Sequence, residues 1–507
     1  MSFKTPKDQS IELEVNNFGP IVNANIDLRP LTVFVGPSNT GKSYLAILIY
    51  ALQKFFSERG VGLDLAYGRY RLRRKLGNQL RTDETIAELL SVAKLLMEDI
   101  DAKATSSIVL SPNLSKVLAT CFNEYGNVLL GRICRCFGLE DPQFLIRKGT
   151  SRFAEVIVRK GFIEGDEHFR HELKLGATTE LSTNLPCDVP IKINPSVDFW
   201  YGHLVHYFED ASRDINAEKP SRHSIARLLS FVAELLVPPA VGTMHSPIYY
   251  LPADRTGIMH AHHVVVSALI ESATSAGIRQ RATTPVLTGV LADFLDQMVQ
   301  LDFIRRRRSA VNSEVDLGLM IEEKVLTGSV KVVRSKTVNY PHFAYRPTGW
   351  DHDLSLSNAS SMVSELAPVV LYLRHVVEAG NVLIIEEPES HLHPAKQVEL
   401  TRQLANLVNA GIRVIVTTHS EWLLEELANI VRRSSLPKQK LKDLTSKEVV
   451  LHPQQVGTWL FTPKSRPKGS VVEEIQLNDS GLYPSDYDAV SIALHNDWAE
   501  IESGIEN

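Results

Sequence analysis

Residues 36–43 read Gly36-Pro37-Ser38-Asn39-Thr40-Gly41-Lys42-Ser43, an unbroken G-x-x-x-x-G-K-S loop. No other stretch of the chain restricts its fold so tightly. The apolar run Leu31-Thr32-Val33-Phe34-Val35 before the loop has the length of a buried strand. The run Tyr44 to Tyr50 after it continues as a helix. Strand, glycine turn and helix N-terminus together aim backbone N–H groups at a polyphosphate, and the helix dipole favours the negative charge. Gly36 and Gly41 stand where the chain must curl with no side chain in the way. Lys42 is placed to reach the β- and γ-phosphates, and the Ser43 hydroxyl to take one position on Mg²⁺. A chance glycine turn is the plain alternative, but strand, loop and helix all agree with the context the motif requires. The expected ligand is a nucleoside triphosphate held by residues 36–44.

A second cluster suggests chemistry on that ligand. Val382-Leu383-Ile384-Ile385 is a short apolar run that ends in Glu386-Glu387-Pro388-Glu389. Carboxylates at the carboxyl end of a buried parallel strand lie beside the phosphate loop of a doubly wound sheet. Glu386 is expected to hold Mg²⁺, directly or through water. Glu387 is expected to polarise the water that attacks the γ-phosphate. A third run, Val414 to Thr418, ends in His419-Ser420, where the histidine can hydrogen-bond the γ-phosphate. Singly, an acidic pair also suits a solvated strand end, and a lone histidine suits any polar loop. Their order behind a phosphate loop is what gives them weight.

These motifs resemble the ABC-type, AAA-like ATPases, in the soluble branch that includes chromosome-maintenance and recombination-repair heads. Asn17-Phe18-Gly19-Pro20-Ile21 looks like the opening hairpin of such heads. Ile385 to Pro394, Tyr250-Leu251-Pro252-Ala253-Asp254-Arg255 and Ala359 to Leu366 are similar to motifs of the overcoming-lysogenization-defect-like group, many of which serve in anti-phage defence. The resemblance spans roughly 11–55 and 345–425, is patchy over 248–345, and does not extend over 60–240. It implies an α/β fold: an ABC-type ATPase head with a phosphate-loop parallel sheet core plus an antiparallel β lobe, carrying a large, mostly helical insertion. It also implies two heads sandwiching ATP, with a signature loop reaching the γ-phosphate from the partner. Ser360 and Ser361 stand at that position, before an expected helix from Val363 to Val377. Met362 replaces the glycine usual there. Ser390 to His393 would form the loop that crosses to the partner. His391 and His393 also form a metal-like pair, but no third ligand lies at metal-site spacing.

At 507 residues the chain exceeds one ordinary domain. More than three hundred positions separate Ser43 from Ser361, so an insertion must divide the head. The expected division is 1–55 with the phosphate loop, 56–240 as a mainly helical insertion, 241–345 returning to the head, and 346–507 with the signature, acidic strand end, histidine and acidic tail. Apolar residues at three- and four-residue spacing in 84–96 and 224–236 read as helices. Neither pattern sustains the heptads of a long coiled-coil arm. Phe153 to Arg159 and Asp188 to Ile193 alternate like strands, as do Glu322 to Val333 and Val338 to Tyr345. Residues 448–477 read as further strands, and Ser485 to His495 as a short closing helix.

Hydrophobic content of 44% and charged content of 22% are those of a globular chain. Cys121, Cys134, Cys136 and Cys187 make no disulfide framework in a chain this long. Neither a signal-peptide core nor a run of about 20 uncharged apolar residues is visible. A soluble cytoplasmic enzyme is the expectation, with no membrane partner. Arg69 to Lys75 and Arg305 to Arg308 are basic clusters that suit a phosphate backbone, but with a net charge of −5 a solvated face or a salt-bridged seam to an acidic partner is the preferred reading. Nucleic acid stays open as a partner. His260-Ala261-His262-His263 reads as a polar helix start. Beyond Lys468 there is no lysine or arginine, which suits a protein contact better than DNA. Asp486 and Asp488 after His419 are read as part of the acidic tail and not as the Asp-x-Asp pair, backed by an upstream glutamate, of the related nucleases.

The resulting expectation is an ATP-hydrolysing homo-oligomer that acts as a sensor or scaffold for a separate effector, a nuclease or toxin, in anti-phage defence. The alternatives are a DNA-binding repair or chromosome-maintenance ATPase, and a nucleotide switch with little turnover.

Overall fold

The computed structural model describes residues 11–57, 83–102, 106–123, 126–149, 152–162, 165–176, 179–185, 190–193, 242–260, 287–308, 317–334, 341–437 and 449–476, with positions 187, 229, 232, 492–493, 495–498 and 501–502. The first elements are β1 (Ile11–Phe18), β2 (Ile21–Leu28), β3 (Leu31–Val35), α1 (Lys42–Ser57), α2 (Asp83–Ala102) and β4 (Ser106–Val109). Then come α3 (Pro112–Asn123), α4 (Gly126–Phe137), β5 (Ala154–Phe162), β6 (Gly165–Leu175), β7 (Glu180–Asn184), β8 (Pro190–Ile193) and β9 (Ile248–Leu251). Next follow α5 (Gly289–Arg308), α6 (Leu317–Ile321), β10 (Gly328–Arg334), β11 (Pro341–Pro347), β12 (Leu354–Ser355) and α7 (Ser361–His375). The last are β13 (Val382–Glu386), α8 (Pro394–Asn409), β14 (Arg413–Thr418), α9 (Glu421–Arg433), β15 (Val456–Ser465) and β16 (Lys468–Glu474). Two units share the chain: Met1–Leu28 with Ile47–Ile248, and Arg29–Ala46 with Tyr249–Asn507. The N-terminal hairpin thus groups with 47–248, and the phosphate loop with the C-terminal half.

In the unit that holds the phosphate loop, six strands run in the order β16-β15-β3-β14-β13-β9. β15, β3, β14 and β13 are parallel, while β16 folds back antiparallel on β15. Parallel strands are covered on both faces and so read as continuous apolar runs. β3 and β13 are indeed buried at every position. Leu383, Ile385, Val414 and Val416 share one core with Leu366 and Val370 of α7, Leu404 of α8 and Leu427 of α9. Register then places the chemistry. Val35 pairs with Thr418, and Thr417 with Glu386, so the carboxyl ends of β3, β14 and β13 lie level. That end of an open α/β sheet is where ligands bind.

The other unit is built on five antiparallel strands, β7-β6-β5-β1-β2. Ile11, Leu13 and Val15 alternate inward along β1, with Val15 opposite Val156 and Leu13 opposite Val158. Phe55, Phe56, Phe169 and the fully buried His171 form an aromatic cluster. The last carbonyls of α1 are satisfied by side chains: Arg132 donates to Lys54 O (3.0 Å), and His245 Nδ1 pairs with Phe56 O (2.9 Å). Helices α2, α3 and α4 accompany the strands within the insertion.

One expected strand is different. Glu322–Leu326 is a π-helical turn continuing α6, closed by Thr327 at φ 53°, and the strand starts only at Gly328. Ile321, Val325 and Leu326 enter the core from a helical turn, not from alternate strand positions. The buried Glu322 carboxylate accepts from Val330 N (2.6 Å) and pairs with Arg374, so the turn is tied to β10 and α7. Pro190–Ile193 of the strand expected from Asp188 pair with β4, and residues 188 and 189 lie outside the described residues. Arg69–Lys75, His262, His263 and most of 224–236 and 485–495 lie outside the described residues. Arg305–Arg308 form the last turn of α5, where cations suit the helix dipole.

Candidate active site

The phosphate loop curls through three left-handed residues, Gly36 (φ 137°), Asn39 (φ 64°) and Gly41 (φ 102°). Glycine at 36 is obligatory for a second reason. A Cβ there would lie 2.6 Å from the carbonyl oxygen of Phe461 on β15. Thr40 Oγ1 donates to Pro37 O (2.8 Å), and the Lys42 ammonium donates to Gly36 O (2.8 Å) and Pro37 O (2.9 Å). The loop therefore wraps its own lysine. Burial lowers the Lys42 pKa to about 8, against the pull of Glu387, Glu389 and Glu386, which favour its charge. Pro37, Ser38, Asn39, Ser43 and Tyr44 remain open to a ligand on the outer face.

Opposite stand the carboxylates of β13. Glu386 is buried, and Ala253 N donates to its Oε2 (3.2 Å). Burial pushes its carboxyl up, with the Ser43 hydroxyl, Ala253 N–H and Tyr250 hydroxyl drawing it down. Its Oε1 is buried with no well-formed hydrogen bond. A buried carboxylate drawn on by the Ser43 hydroxyl, with one oxygen short of a well-formed partner, fits a hard cation such as Mg²⁺. Among the described residues, no group of three or more His, Cys, Asp or Glu is arranged to hold a metal. Ser43 and Glu386 would thus hold Mg²⁺ together with nucleotide oxygens, and the ion would supply neutralisation of phosphate charge.

Glu387 occupies the left-handed region at φ 41°, rare for a non-glycine residue and often met at reactive positions. Its backbone N–H is anchored on Thr417 O (3.0 Å) and Thr417 Oγ1 (3.2 Å), which holds the strained turn. The side chain is half-exposed, with Oε1 3.7 Å from His419 Nε2. Burial, then the Lys42 charge, holds the His419 imidazole below its usual value, while Glu387 opposes them. These surroundings favour the neutral form of the imidazole. Lys42, Glu386, Glu387 and His419 lie near one another at this end of the sheet.

Three residues of this site had no role assigned from sequence. Glu389 is buried; its Oε1 accepts from Thr418 Oγ1 (2.6 Å) and His419 N (2.7 Å), and so fixes the backbone that carries the histidine. Arg255 is fully buried. It donates to Glu386 O (2.5 Å), Glu387 O (3.2 Å), Pro252 O (2.9 Å) and Glu365 O (3.0 Å), and pairs with the Glu365 carboxylate. The signal was present: Glu365 interrupts a buried apolar helix face, where a charge needs a partner. The partner, over a hundred positions away, could not be read from spacing.

Ser360 caps α7 by accepting from Val363 N (3.4 Å), and Ser361 is its first residue. Both are exposed, and neither hydroxyl bonds to the phosphate loop of its own chain.

Residues 297–424 match the family described as AAA ATPase domain, a stretch that contains Ser360, Ser361, Glu386, Glu387 and His419. The chain carries an ATPase domain. No curated protein matches it. Similar solved structures include an Smc head bound to the C-winged helix domain of ScpA, at 10% identity over 92% of this chain and 98% of that one, TM-score 0.40. An Smc head with an extended coiled coil bound to the C-terminal domain of ScpA, from Pyrococcus furiosus, gives 10% identity, 96% and 98% coverage, and TM-score 0.39. The SMC head domain from Thermotoga maritima gives 12%, 92% and 99%, and 0.33. Likeness at these scores carries no functional weight. No described helix is long and apolar enough to cross a membrane.

Proposed function

We propose that this ATPase domain works as a pair of heads closing on ATP and Mg²⁺, and that closure controls a separate effector protein, a nuclease or toxin, in bacterial anti-phage defence. The observation that carries pairing is that Ser360 and Ser361 stand exposed at a helix N-terminus with neither hydroxyl bonded to the phosphate loop of its own chain, while Lys42, Glu386, Glu387 and His419 gather at the sheet end. A helix N-terminus suits the γ-phosphate of a second copy. The defence setting is supported by the likeness of Ile385 to Pro394 to the overcoming-lysogenization-defect-like group.

Ser361→Arg tests the pairing. A bulky cation at the helix start is expected to block ATP-dependent association in light scattering while single-chain ATP binding persists. Association unchanged by Ser361→Arg would sink the paired-head reading. Expression with and without neighbouring genes under phage challenge tests the defence role. Protection that needs a neighbouring nuclease or toxin gene supports it, and DNA repair defects without any phage phenotype would favour a repair ATPase.

A further inference from the structure

The segment Tyr250 to His260 touches both halves of the chemistry. Toward the acidic strand end, Ala253 N holds the Glu386 carboxylate, and Arg255 holds the carbonyls of Glu386 and Glu387. Toward α7, Arg255 pairs with Glu365, Thr256 Oγ1 donates to the same carboxylate, and His260 Nε2 pairs with Ser364 Oγ (3.0 Å). Glu365 lies little more than one helical turn from Ser360 and Ser361. Ser364 in turn donates to Leu356 O (3.0 Å) in the turn that leads into α7. The start of α7 and the strained turn of Glu387 are therefore gripped by one buried guanidinium.

We propose that Arg255 is a positioning residue that couples the start of α7 to Glu387 within one subunit, so that engagement of Ser360 and Ser361 on a second head's nucleotide sets this head's own catalytic carboxylate. The proposal rests on the paired-head reading. A rigid guanidinium can hold several acceptors in fixed directions at once, which a point-charge ammonium cannot. A shift of α7 against the sheet must then move Glu386 O and Glu387 O, or break bonds that have no water to replace them. The consequence is that the two ATP sites of a pair fire together: each head's turnover depends on its α7 being engaged.

The test uses the full chain and Mg·ATP, with Arg255→Lys and Thr256→Val. Arg255→Lys keeps a charge for Glu365 but gives up the fork that reaches both carbonyls. Thr256→Val removes only the hydroxyl that steadies Glu365, in a milder change that leaves the ion pair. Both are expected to bind ATP and to pair as the unaltered protein does. Arg255→Lys is expected to lose about tenfold to a hundredfold in kcat with KM within about twofold, the cost of a misplaced catalytic group. Its Hill coefficient for ATP is expected to fall towards 1, and Thr256→Val is expected to change both quantities in the same direction by less. A residue that only cements the fold would lower the melting temperature and leave kcat and the Hill coefficient of the folded protein unmoved, which would overturn the proposal. Should Arg255→Lys not fold, Thr256→Val decides alone. If the unaltered chain shows no ATP-dependent pairing, the paired-head reading fails and the coupling with it. Pairing intact with unchanged kinetics in the variants sinks the coupling alone.

Discussion

Glu387 and Lys42 divide the work at the residue scale. Glu387 is half-exposed, strained at φ 41° and close to His419, whereas Lys42 is buried in its loop. Lys42→Ala is expected to weaken ATP binding tenfold to a hundredfold, the loss of a charge-assisted bond of about 1.5–3 kcal/mol. Glu387→Gln is expected to keep binding and lose about 10²–10⁴-fold in turnover. Filter binding and phosphate release separate the two; hydrolysis by Glu387→Gln at the unaltered rate would disprove the assignment. The Lys42 pKa of about 8 adds a pH signature. Polyphosphate favours the ammonium, so the bound pKa lies higher than the free one. Below pH 8 the lysine is already charged and affinity is flat. Above it, binding must take up a proton, and affinity falls by up to about tenfold per pH step until the bound pKa is reached. Calorimetry at pH 9 in buffers of different ionisation enthalpy is expected to show that uptake, and none would argue that Lys42 titrates elsewhere.

At the scale of elements, β3, α1, β13 and β14 are legible from sequence because each carries its own periodicity and its own motif. The phosphate loop is a local device: strand, turn and helix are contiguous, so their chemistry can be read in order. The turn at Glu322–Leu326 shows the limit. Its apolar residues fit a strand or a helical turn by spacing alone, and the buried Glu322 contacts with Val330 N and Arg374 tie the turn to β10 and α7. The approach of β15 to the loop is equally invisible in sequence, yet it sets a demand on Gly36. Gly36→Ala would force a Cβ to 2.6 Å from Phe461 O at φ 137°. It is expected to destabilise the fold by about 1–3 kcal/mol and to impair ATP binding. A melting curve and an ATP titration check this, and an unaltered pair of results would mean the loop tolerates a side chain there.

On the scale of the whole molecule, the chain carries a unit of antiparallel strands and helices in addition to its ATPase elements, and the proposed function gives the output to a separate protein. The chain by itself is expected neither to cut DNA nor to poison cells, and to need a second protein for its output. Magnesium-dependent cleavage by the purified chain, abolished by a change outside the ATP site, would overturn that expectation. The sequence by itself determined a phosphate loop, an acidic strand end and a histidine strand end, because each needs only neighbouring residues at fixed spacing. Tertiary structure alone decided that β5 pairs with β1, that Glu389 steadies His419, and that Arg255 binds Glu365 to the turn of Glu387. Periodicity tells a residue which face it occupies, but the partner across that face, and the buried charge that must be satisfied there, are settled only when distant segments pack.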